Sequence, residues 1–139
     1  MALMSQALKT LRILQWAMLG SILFYVGLGI FLRPAAHTLD PALSYLFTTL
    51  GVALIGIIFV VRRTLVFRAG ESLVVHPEDV LSLNQWKTGY IATYALCESL
   101  AVFGLIEHFL GGTLQQSMSY FIGGFALMLF FRPRQPTAG

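Results

Sequence analysis

The chain has 139 residues, 57% of them hydrophobic and 11% charged, with a mean hydropathy of +0.77 and a net charge of +3. An average soluble domain carries roughly 25% charged residues, so six acids and nine bases are too few to wet a surface of this size. Composition therefore excludes a water-soluble monomer and a disordered chain, and a single cysteine, Cys97, excludes a disulfide scaffold or a cysteine-built zinc site.

Four apolar runs follow in chain order, Ile13–Leu32, Leu43–Val61, Tyr90–Leu110 and Ser117–Phe131. A bilayer core takes ~20 helical residues, with ~17 near the lower limit, so each run is read as a transmembrane helix and the fourth as a short one. None alternates polar and apolar residues as a barrel strand would. Lys9 and Arg12 before the first run resemble the start of a signal peptide, but that run exceeds the ~7–15 residues of a signal core. It is expected to be a retained helix. The fold predicted is an all-α, four-helix membrane bundle forming one domain over residues 1–139.

Orientation follows from the bases. Lys9 and Arg12 precede the first span, Arg62, Arg63, Arg68 and Lys87 lie between the second and third, and Arg132 and Arg134 follow the fourth. Only Arg33 falls on the other side. Basic loops stay inside, so both termini and the 62–87 loop are expected in the cytoplasm, in a cell (inner or plasma) membrane. Within that loop Pro77-Glu78-Asp79 reads as a helix start. Val80, Leu81, Leu83 and Trp86 then give one apolar side to a short interfacial helix, anchored at the headgroups by Trp86 and Lys87.

A faint internal similarity accompanies this topology. An offset of about 78 residues, read directly from the sequence, pairs Ala17 with Ala95, Ser21 with Ser99 and Phe31 with Phe109. A second offset pairs Ser44-Tyr45 with Ser119-Tyr120. The pattern is that of two parallel hairpins, in which Glu98 and Glu107 stand opposite Gly20 and Gly29.

Small residues recur at helical spacing in every span, and helix backbones approach closely in lipid where such residues meet. Gly20, Gly27, Ala53, Gly56, Ala101, Gly104 and Gly123 are the expected packing positions. Glu98 stands apart. It lies eight residues into the third span, about 12 Å along the axis, where a charged acid costs ~2.5–3.5 kcal/mol on insertion scales. No lysine or arginine shares its depth, so hydroxyls (Tyr94, Thr48, Thr49, Tyr25), water or another protein are the expected partners. Glu98 with Tyr94 is the candidate proton- or cation-binding site; the alternative role is a protonated carboxyl that holds helices together.

A second polar set, His37, Asp40, Glu107 and His108, gathers at the outer face and offers ligand types suited to zinc or haem. It lacks a tight His-x-x-x-His spacing. No nucleophile-and-base set or phosphate loop occurs, so no catalytic residue, enzyme activity or cofactor is expected. The bases are explained by topology, so nucleic acid is not an expected partner. The partners expected are the lipid bilayer and either another membrane protein or further copies of the chain.

The stretch from Tyr90 to Ile106 contains Ala95-Leu96-Cys97-Glu98-Ser99 followed by Phe103-Gly104. It resembles the ion-binding helix of rotary ATP synthase proteolipids, the subunit c family. That resemblance implies that Glu98 takes up and releases a proton between lipid and an aqueous path. The 62–87 loop is longer than a proteolipid loop, and the second span has only Gly51 and Gly56 where those proteins carry a glycine run. Three functions are therefore carried forward: a non-catalytic accessory or assembly component, a proton- or cation-linked oligomeric unit using Glu98, and a metal- or haem-binding membrane protein.

Overall fold

The computed structural model describes residues 2–32, 40–111, 114–134 and 136, and among these it contains helices and turns but no strand. Helix α1 spans Ala2–Phe31, α2 Pro41–Val61, α3 Arg68–Val75, α4 Val80–Phe109 and α5 Leu114–Phe130. A π-helical turn, Arg62–Phe67, joins α2 to α3 without a break. Three helices are long and apolar enough to cross a membrane: Leu3–Phe31, the continuous rod Pro41–Val75, and Val80–Phe109. The fourth predicted span corresponds to α5, whose 17 residues reach about 26 Å, a little less than a ~30 Å bilayer core.

Segment 62–87, expected to be a loop bearing a short surface helix, is instead the joined ends of two long helices. No proline interrupts the chain between Val61 and Val75, so the second apolar helix continues for three and a half further turns or so. The chain reverses only at His76–Asp79. There Pro77 and Glu78 form the turn, and the Asp79 amide donates to the His76 carbonyl at 3.2 Å. Helix α4 starts three residues later than the proline pattern predicts, with Asp79 as its N-cap accepting from Leu81 N at 3.2 Å. Trp86, the expected headgroup anchor, is 1% exposed. Its indole packs edge-on to Tyr90 at 5.0 Å, inside the hairpin formed by α3 and the start of α4.

The π-helical turn has a register reason. Ile58, Arg62, Val66 and Gly70 are all buried and recur every four residues. In an α-helix each four-residue step overshoots a full turn by about 40°, which would carry this face away from α4. Wider winding absorbs the drift. Within the turn the Thr64 hydroxyl donates to Val60 O at 2.8 Å.

Helix α4 is the hub. It packs against α1, α2, α3, the π-turn and α5, whereas α1 and α2 have no substantial contact with each other. At 100° per residue, Cys97, Ala101 and Gly104 face α5, Tyr94, Glu98 and Leu105 face α1, and Leu100, Phe103 and Glu107 face α2. Ala95, Ser99 and Ile106 are left outward. Three glycines set the closeness of two of these contacts, with the π-turn and with α5. A Cβ on Gly89 would lie 2.6 Å from Val66 Cγ2 and 2.9 Å from Leu65 Cβ, one on Gly104 2.7 Å from Tyr120 Cβ, and one on Gly124 2.7 Å from the Cys97 carbonyl.

The free carbonyls at the end of α5 are capped by other helices. Gln15 donates to Met128 O at 2.9 Å and Tyr94 to Phe131 O at 2.9 Å. These two bonds tie α1 and α4 to a helix end that would otherwise leave acceptors bare in a poorly hydrated region.

Replacing Gly89 with alanine is expected to destabilise the fold by ~1–3 kcal/mol, the usual cost of overpacking. At Gly20 a Cβ meets nothing within 4 Å, so Gly20→Ala is neutral or slightly stabilising. Unfolding titrations in mixed micelles check both. At the hairpin tip, Ser82 donates to Asp79 Oδ2 at 2.7 Å, and this bond is the main reason the Asp79 carboxyl titrates below its ordinary value, followed by opposing burial and then the Leu81 amide. A lowered pKa means that its support for the helix start is present at neutral pH and lost as pH falls through the folded value. Hydrogen exchange at Leu81–Leu83 should therefore accelerate under acid in the native chain, and show no such acid step in Asp79→Asn.

Candidate functional site

Two carboxyl groups of the apolar region, Glu98 and Glu107, lie on opposite faces of α4, each near a phenol. Glu98 is half-buried, and its Oε1 accepts from Tyr25 Oη of α1 at 3.1 Å. No other hydrogen bond reaches this carboxyl among the described residues. Tyr94 does not serve it, because the Tyr94 hydroxyl is committed to Phe131 O. Thr48 and Thr49 bond back to their own helix at Ser44 O and Tyr45 O. The Glu98–Tyr25 pair therefore sits at the edge where α1 meets α4, beside the outward strip of Ala95, Ser99 and Val102.

Glu107 lies nine residues further on, about 13 Å along the axis and half a turn round. It is 2% exposed, and its carboxyl faces the Tyr120 side chain of α5, beside which lies Thr48 of α2. Its Oε2 has no partner. These groups line a cleft of about 360 Å³ between α2 and α5, together with Ser44, Ser119 and Leu100. The Tyr120 ring crosses that cleft to within 3.2 Å of where a Cβ on Gly51 would sit.

The expected metal set does not come together among the described residues. Asp40 is exposed and caps α2, accepting from Ala42 N at 3.0 Å. Glu107 faces α2 and α5, while His108 turns toward α1, its Cδ2 3.8 Å from a Cβ position on Gly29. Both His108 ring nitrogens are buried without a partner. His37, like Arg33, lies outside the described residues. No group of three or more His, Cys, Asp or Glu suited to a metal occurs among the described residues.

The expected packing residues divide. Ala101 is fully buried, Gly104 makes a close contact, and a Cβ on Gly123 would meet Leu100 at 3.7 Å. Gly20, Gly27 and Gly56 face open space, and Ala53 is exposed. The reason is the hub arrangement: α1 and α2 each bury one narrow flank, so a small residue elsewhere on them has no neighbour within the chain.

Three residues were not marked by sequence reasoning. Tyr120 pairs with an acid 13 positions away, and nothing in the local pattern signals it. Gly89 was passed over because it precedes the apolar run. Arg62 was read as a topology signal, yet it is buried, its guanidinium carbon 4.0 Å from the Phe131 ring centroid and 5.3 Å from that of Tyr90. Its four-residue spacing from Ile58 and Val66 was the available clue.

No family model, curated protein or solved structure matches this chain.

Tyr25→Phe is expected to leave the bundle intact and uncover Glu98 Oε1. Labelling of Glu98 by an apolar carbodiimide should then be faster than in the native chain, while Glu107, closed in by Tyr120, labels slowly in both. Peptide mass mapping of labelled membranes reads this out.

Proposed function

We propose that this chain is a non-catalytic component of a larger membrane assembly, which it joins through the edge where α1 meets α4. One observation carries the proposal: Glu98 stands half-buried in an apolar helix with a single phenol as its partner. Helix α4 has 18 residues before Glu98 and 11 after it. Because the first turns of α4 pair with α3 beyond the length a bilayer needs, this carboxyl falls near mid-membrane.

A carboxyl facing hydrocarbon there costs free energy whether charged or neutral. A chain docked on that edge would supply the second hydrogen bond and exclude lipid from the carboxyl. The outward residues beside it, Ala95 and Ser99, are small enough for a helix to approach.

Eight bases lie at the end holding the α3–α4 hairpin, the start of α1 and the end of α5. By the preference of basic segments for the inner side, that end is the cytoplasmic one in this reading, with α5 as a short fourth span.

A second reading rests on the same pair. A half-exposed acid with one hydrogen bond is also the arrangement that a proton- or cation-linked oligomer needs, with Tyr25 holding the carboxyl toward a neighbouring copy. Glutamine separates the two readings, because it replaces a protonated carboxyl as a hydrogen-bonding group but cannot titrate.

The test is native mass spectrometry of the tagged chain taken from its own membranes in mild detergent. The docking reading predicts a stoichiometric second protein, retained in Glu98→Gln and lost in Glu98→Leu. A ring or smaller oligomer of this chain alone, with ion-dependent activity abolished equally by both substitutions, favours the second reading. A lone monomer under all conditions contradicts both.

A further inference from the structure

A pocket of about 670 Å³ opens at the basic end of the bundle, between the π-turn, α3, α4 and the segment after α5. Arg62 lines it, 8% exposed, with Nε and Nη1 lacking any hydrogen-bond partner. No carboxylate is paired with it among the described residues.

Rings occupy the faces of this guanidinium: Phe131 at 4.0 Å, Tyr90 at 5.3 Å and Phe67 at 5.5 Å. Cation–π contact offsets part of the desolvation but leaves the N–H edge unsatisfied. Here arginine differs from the two acids of α4. Glu98 or Glu107 can take a proton and become neutral, whereas a guanidinium stays charged at any pH a protein experiences. An unpaired buried cation is among the costliest arrangements a fold can hold.

The same pocket is lined by the exposed Arg132 and Arg134, against one exposed acid, Glu71. Three guanidinium groups facing one carboxylate leave a net positive cavity. The segment that carries the two outer arginines is held in place, with Tyr94 donating to Phe131 O at 2.9 Å and Arg134 N donating to Tyr90 Oη at 3.4 Å. Phe59 of α2 and Phe130 of α5 add two exposed apolar rings to its lining.

We infer that this pocket binds a phosphate-bearing anion, with the N–H edge of Arg62 on its oxygens and Arg132 and Arg134 closing round it. A planar guanidinium edge presents paired donors that match phosphate oxygens two at a time. The anion is either the headgroup of an acidic phospholipid, whose acyl chains would lie against the Phe59 and Phe130 rings, or a free phosphate.

The chain reports its own binding, because Trp86 lines the pocket and the only other tryptophan, Trp16, is 70% exposed. The intact chain carrying Trp16→Phe, in a non-ionic detergent, is titrated with short-chain phosphatidylglycerol, short-chain phosphatidylcholine and inorganic phosphate while Trp86 fluorescence is followed.

The expected result is a saturable change with phosphatidylglycerol, at an affinity roughly tenfold or more above phosphatidylcholine, and a comparable loss in Arg62→Gln. Saturation by inorganic phosphate at equal affinity identifies the free anion as the ligand. Should Arg62→Gln fail to fold, the paired surface variant Arg132→Gln/Arg134→Gln decides, with an expected several-fold weakening and a shallower salt dependence. Equal response to both lipids, no saturable response to phosphatidylglycerol or phosphate, or native affinity in the variant that folds overturns the proposal.

Discussion

Everything in this fold depends on how closely other backbones approach α4. Between helices in lipid there is no hydrophobic force, since the solvent is as apolar as leucine, so cohesion comes from close packing and from hydrogen bonds between helices. Gly89 lets the π-turn lie against the start of α4. Gly104 and Gly124 perform the same service, from opposite sides, for the contact between α4 and α5. Gln15 and Tyr94 then fix the α5 end by capping its carbonyls. With α4 gripped on three sides, its ionisable groups have set directions: Glu98 to the α1 edge, Glu107 into the α2–α5 cleft.

The register of the second rod is the other structural choice of consequence. Keeping Ile58, Arg62, Val66 and Gly70 on one face requires a π-turn, and the result is an arginine turned inward among aromatic rings. π-helical turns cost hydrogen-bond geometry and are frequent at functional sites. Here the distortion has an identifiable product, a buried guanidinium in the lining of a basic pocket. Arg62 and the two acids consequently pose different problems. The two acids can be neutralised by protonation and are each given a tyrosine; Arg62 has no such escape, and its unmet need is for an anion.

Helix positions were largely legible in the sequence, because apolar runs near 20 residues report the thickness of a bilayer directly. The ends were less legible. Lys9, Arg12, Arg62 and Arg68 look like span limits by composition, but charge alone does not end a helix when no proline or glycine pair intervenes, and α1 and the second rod run on through these residues. Tyr25 was among the candidate partners of Glu98 because it is a hydroxyl on a neighbouring apolar run. Tyr94 was also a candidate and has a different task, which depends on where α5 ends. Small residues were the weakest guide. Gly20 and Gly56 have the same spacing signal as Gly104, and only the absence of a neighbour on their side of α1 and α2 separates them.

The central claim is that the α1–α4 edge beside Glu98 is covered by protein in the membrane where the chain works. Photo-cross-linking in native membranes tests it most directly, with a benzophenone side chain placed at Phe24 or Val102 on that edge and at Ile122 on α5 as the reference. The account predicts discrete protein adducts from the two edge positions and lipid adducts from Ile122. Lipid adducts alone from Phe24 and Val102, with the chain correctly inserted, would contradict it.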